Sequence, residues 1–112
     1  MERRILVVRW AMQAEGEVPR EQLRVMTEAL RLSVWRVGCI ALACGVRPQH
    51  IRMVIECNDT HEPHQLIEWV RAAARYAITC YSGVMPIWAE AYEWQWVERG
   101  CAGQEIMACW RE

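Results

Sequence analysis

His50 and Arg52 stand two residues apart in the stretch HIRMVIEC, residues 50–57. An extended chain puts residues two apart on one face, so an imidazole and a guanidinium would lie side by side there. Together they could hold a phosphate, with arginine supplying a two-pronged fork and histidine a further donor. The same spacing also fits an exposed strand face on which Arg52 pairs with Glu56. Arg71 and Arg75, four apart, share one helix face and could follow a phosphate backbone, although Glu68 three residues before Arg71 also suits a solvated, ion-paired surface. Cys57, His61 and His64, with Asp59 among them, have zinc-type donors in C-x3-H-x2-H spacing, but no fourth ligand follows at a standard distance. A buried cysteine at a strand end and two histidines at a solvated helix start account for them without a metal, and this is the preferred reading. Trp88, Tyr92, Trp94 and Trp96 alternate as on one strand face, where a row of rings serves as a stacking platform for unpaired bases, as core, or as a subunit interface.

The elements that must position these groups belong to a chain of 112 residues, 54% hydrophobic and 24% charged, which predicts one globular domain over residues 1–112. Thirteen arginines against fourteen acids give a net charge of -1, which excludes a polyanion binder driven by bulk charge and leaves only a local basic patch. No apolar run approaches the roughly 18 to 20 residues needed to span a bilayer, and the N-terminal stretch has no small-residue cleavage site. Six cysteines show no C-x-x-C pair. The expectation is a soluble, reduced, cytoplasmic protein with no membrane partner.

Residues 4–12, RILVVRWAM, read as a strand. Pro19 opens a helix in which Leu23, Met26, Leu30, Val34 and Val37 recur at spacings of three and four until Gly38. Two apolar runs, 39–46 and 50–57, flank Arg47-Pro48-Gln49 as a hairpin. Asn58-Asp59-Thr60 is a loop and capping signal, Pro63 suits a first helical turn, and a stripe from Leu66 to Tyr81 runs to a stop at Gly83. A strand within 86–98 and a short final helix after Gly103 complete the order. This is an α+β, ferredoxin-like βαββαβ arrangement: a four-stranded antiparallel sheet with two helices on one face and a short C-terminal helix. Such folds host many functions, so the site must supply the function.

VRPQHIRMVIECND, a following helix and then IWAEAY resemble the insertion-sequence tyrosine transposases of the HUH class, including the REP-associated ones, over about residue 35 to the end. The resemblance implies a divalent cation, magnesium or manganese, held by two histidines at i and i+2, and a tyrosine on the last helix that becomes linked to single-stranded DNA. Here His50 fills the first ligand position and Arg52 the second, and a guanidinium cannot ligate a metal. The nucleophile would fall near Met107 to Trp110, where Cys109 or Trp110 stands, and a supporting polar residue one turn later would lie past Glu112. Tyr92 corresponds to the family's structural aromatic, while Tyr76 and Tyr81 on the second helix suit packing. The implied protein is a transposase-like domain that binds single-stranded or hairpin DNA through His50, Arg52, Arg71 and Arg75, with a degenerate nuclease centre and no catalytic residue or cofactor. The alternative is a small homodimeric interaction module with no nucleic-acid role.

A homodimer is expected on area grounds as well. The alternation places Ile5, Val7, Ala41, Ala43 and Val54 on the sheet face away from the two long helices, and the Trp-rich fourth strand offers an exposed edge. Dimerisation would hide them, as it does in the resembled family. Otherwise the final helix must fold back over its own sheet.

Overall fold

The computed structural model describes residues 3–12, 18–58 and 60–111. Strand β1 (Arg3–Met12) leads to helix α1 (Arg20–Arg36), strands β2 (Ile40–Val46) and β3 (His50–Asn58), helix α2 (Pro63–Ser82), strand β4 (Trp88–Val97), a 3-10 turn at Arg99–Cys101 and helix α3 (Ala102–Arg111). The sheet order is β2-β3-β1-β4 with every pair antiparallel, as the ferredoxin-like reading expects.

Local chemistry sets the boundaries. Pro19 fixes the entry to α1 and its carbonyl accepts from the N–H groups of Gln22 and Leu23. Gly38 leaves that helix at φ 81°, a backbone conformation that costs glycine little. Helix α2 is capped by Glu62 rather than by the Asn58–Thr60 segment: its carboxylate accepts from the N–H groups of His64 at 3.1 Å and Gln65 at 2.8 Å. Those backbone hydrogen bonds, Gln65 first, hold the Glu62 carboxyl below its ordinary range. Gly83 ends α2 at φ 75°, where the sequence marks a stop.

Helices α1 and α2 cover one face of the sheet. Leu6, Met53 and Ile55 meet Leu30, Ile67 and Ile78 there with no more than 1–2% of each residue exposed. At roughly 1.5–3 kcal/mol per fully buried aliphatic side chain, this layer dominates stability.

The opposite face differs from expectation. Ile5, Val7, Ala43 and Val54 are buried there under Ala102, Ile106 and Cys109 of α3, so the chain hides this apolar surface itself. A ten-residue helix is too short to persist alone in water, and this docking is what holds it. Gly45 permits the approach, because a Cβ there would lie 2.7 Å from the Cys109 carbonyl oxygen. Arg47 then donates to the carbonyls of Cys109 and Trp110 at the helix C-terminus. Ala41, expected on this face, lies on the α1 side, because the β2–β3 register shifts between Ala41 and Ala43 and breaks the alternation. Among the described residues no helix is long and apolar enough to cross a membrane.

Candidate nucleic-acid interface

Helix α3 is short, so it covers only part of its face. Beyond it the strands present polar side chains: the ladder pairs Arg9 of β1 with Arg52 of β3 on one side and with Glu93 of β4 on the other. Two guanidinium groups directly opposite on neighbouring strands repel each other unless anions attend them. Each has a carboxylate close by. Arg9 Nε donates to Glu93 Oε2 at 2.9 Å, and Arg52 Nη1 lies 3.9 Å from Glu105 Oε2 on α3. The first pair is exposed and therefore weak, whereas Arg52 is largely enclosed, with 12% of its side chain exposed.

Two adjoining clefts share Arg9, Arg52 and Glu93. One, about 460 Å³, runs towards α3 and is lined also by Gln95, Gln104, Glu105 and Ala108. The other, about 530 Å³, runs towards His50, Ala11 and Ala91. The trough has the width of one sheet face and two guanidinium groups at its middle, which suits a phosphodiester better than a neutral small molecule.

A divalent cation does not fit this donor set. His50 and Arg52 do share the face, as their spacing predicts, and line one cleft with Arg9, but neither guanidinium can ligate a metal and both repel a cation. Among the described residues no group of three or more His, Cys, Asp and Glu is placed to hold a metal ion. On α3 the cleft meets Gln104, Glu105 and Ala108, whereas Cys109, one of the two residues read at the tyrosine's position, is buried with its thiol 3.8 Å from the Arg52 carbonyl oxygen. Trp110 is exposed.

The other candidates lie elsewhere. Arg71 and Arg75 are on α2, across the sheet from His50 and Arg52. Arg71 is buried, donates to the carbonyls of Ala89 and Glu90, and stacks over Trp10 and Tyr92 at 5.2 and 5.3 Å. It thereby covers the start of the β4 edge that had been expected to stand open. Burial lowers its pKa below the ordinary value, with Glu68 opposing. Arg75 donates to Met85 Sδ at 3.3 Å. Glu56, read as the partner of Arg52, lies instead 3.6 Å from Arg3 and 3.7 Å from Arg99.

Of the zinc-type residues, His64 shares a 2.7 Å hydrogen bond with the Tyr92 hydroxyl, and His61 sits beside Cys39, so the C-x3-H-x2-H set is not assembled. Asp59 lies outside the described residues. The aromatic row of β4 faces α2: Trp88 is buried, and Tyr92, Trp94 and Trp96 pack half-buried against that core, Trp96 beneath Arg4 at 3.9 Å. Arg9 was not marked by spacing. The signal that could have found it is its alternation with Ile5 and Val7 in β1, which places it on the face of His50 and Arg52 once β1 and β3 are neighbours.

Solved structures share this fold. A protein designated a transposase from Deinococcus radiodurans R1 superposes with a TM-score of 0.77 over 96% of this chain and 89% of its own, at 14% identity. A REP-associated tyrosine transposase, solved bound to a REP hairpin, superposes with a TM-score of 0.66 over 92% of this chain at 11% identity, and this chain spans 62% of that longer one. The chain has the fold of solved transposases. No family model and no curated protein matches its sequence.

Proposed function

We propose that this chain binds single-stranded or hairpin DNA on the sheet face beside α3, with Arg9 and Arg52 gripping the phosphate backbone and His50 adding a donor. The observation that carries this reading is the pairing of two arginines in register where that face opens into the two clefts. The hairpin held by a structure of the same fold supports the choice of ligand. Glu93 is exposed and acts as a displaceable counter-ion, so a phosphate takes its place on Arg9 without a buried charge being stranded.

The same geometry argues against strand cleavage. Arg52 occupies the second ligand position, and α3 offers no tyrosine to the cleft. A fluorescent hairpin oligonucleotide titrated with the protein should give saturable binding that weakens as salt rises. Incubation with magnesium or manganese should leave no covalent protein-DNA adduct on a denaturing gel. Absence of binding at low salt would refute the first statement, and an adduct the second.

One observation favours a second reading, a homodimeric interaction module. Leu32, Trp35 and Ile40 form an exposed apolar group beside β2, whose outer edge has no neighbouring strand among the described residues. The hairpin titration separates the cases: a module of that kind gives no saturable, salt-sensitive binding, and its dimer sediments at twice the 13.1 kDa chain mass.

A further inference from the structure

At the far end of the β2–β3 hairpin from the arginine pair, two cysteines meet. Ile40 of β2 faces Glu56 of β3, so the next positions outward, Cys39 and Cys57, face each other, and both side chains point into the core beneath α1. Both belong to the one buried cluster on that side of the sheet. Cys39 is 1% exposed and Cys57 fully buried. His61 covers the pair from the β3–α2 loop, with Nε2 3.8 Å from Cys39 Sγ and Nδ1 accepting from the Asn58 N–H at 3.2 Å.

From this arrangement we infer that Cys39 and Cys57 form a redox-active dithiol that peroxides close to a disulfide. Facing positions in an antiparallel ladder bring Cα atoms to about 4.5–5.5 Å, within the range a disulfide bridges. The order of events follows from the neighbours. Interaction with Cys57 lowers the Cys39 thiol to about 7 against the opposing effect of burial, helped by His61 at its sulfur and by the positive charge of Arg3, while the same interaction and burial push Cys57 up. Cys39, the thiol with the His61 ring against its sulfur, is the attacking thiolate. It takes the terminal oxygen of hydrogen peroxide, giving a sulfenic acid and, with one proton, water. The Cys57 sulfur then attacks the Cys39 sulfur, the S–S bond forms, and the hydroxyl leaves with the Cys57 proton as a second water. Two thiols lose two electrons and one peroxide gains them. A dithiol reductant reverses the change.

The other cysteines lack this setting. Burial pushes Cys44 up to about 12, and Cys80 and Cys101 lie exposed on α2 and in the 3-10 turn. The groups that face Cys39 are Cys57 from β3, His61 from the loop and Arg3 from β1, so its reaction with peroxide should rise with pH through a midpoint near 7.

The test is peroxide treatment of the folded protein, alkylation of the remaining thiols in denaturant, and intact-mass and peptide analysis. Two of the six thiols should escape alkylation, in a linked Cys39–Cys57 peptide pair. Cys44→Ser should keep that link, while Cys39→Ser and Cys57→Ser should each lose it. His61 is a positioning residue: His61→Gln should move the midpoint of the pH–rate profile upward and leave the alkaline rate intact, whereas a packing defect would change the rate at every pH. Six alkylated thiols after treatment, a link that survives in Cys39→Ser, or an unmoved midpoint in His61→Gln would each overturn the inference.

Discussion

The two faces of this sheet are built from the same strands and do different work. Beneath α1 and α2 the face is apolar for most of its length, so its residues are held by packing alone. Beneath α3 it changes character along the strands: Ile5, Val7 and Val54 are covered, and two positions further along Arg9 and Arg52 emerge into a cleft. A helix of ten residues can seal only part of a four-stranded sheet. The difference teaches that stability and recognition are separated by face and by distance along a strand, so variants can perturb one without the other.

The largest effect should come from the first face. Leu30→Ala removes a fully buried side chain from α1 and should cost about 2–5 kcal/mol, read as a fall in the denaturant midpoint. Gly45→Ala should cost less, about 1–3 kcal/mol, because the new Cβ meets α3 backbone and pushes that helix away while the α1–α2 layer stays packed. Hydrogen exchange should speed up in 102–111 in that variant and remain slow in α1. If both regions loosen together, the two faces are not separable.

A smaller effect should appear at the cleft. Glu93→Gln removes the carboxylate that competes for Arg9, so hairpin affinity should rise by about twofold to tenfold, the equivalent of up to ~1.4 kcal/mol, with no change in stability beyond that of an exposed ion pair. Weaker binding would mean that Glu93 positions Arg9 instead of competing for it. The smallest effect lies at the Glu62 cap. Its folded pKa is depressed, so it stabilises the fold above its unfolded pKa and that contribution is lost as pH falls through the folded value. Glu62→Gln should remove this acid-limb dependence by lowering the thermal midpoint slightly at neutral pH, with the difference from the wild type vanishing at acid pH.

Element order was legible because the periods are clear. The 3–4 spacing from Leu23 to Val37 and the alternation of polar and apolar residues from His50 to Cys57 each admit one secondary structure. Where adjacent residues are all small and apolar, period carries no information: nothing in Ala41-Leu42-Ala43 marks the bulge that sends Ala41 to the other face. The docking of α3 depends on Gly45 meeting Cys109, a contact between residues far apart in sequence. For the same reason His50 and Arg52 could be paired by spacing within one strand, whereas Arg9 required the β1–β3 register. Arg71 looked like a solvated helix cation because its burial depends on where β4 lies beneath α2.

The salt dependence of hairpin affinity, compared between the wild type and the Arg9→Ala/Arg52→Ala variant, tests the proposed site most directly. If both arginines neutralise phosphates, the plot of log affinity against log salt should lose about 0.7–0.9 of slope for each, and affinity at low salt should fall by at least tenfold. An unchanged slope and affinity in a folded double variant would contradict the account and place nucleic-acid binding, if any, elsewhere on the molecule.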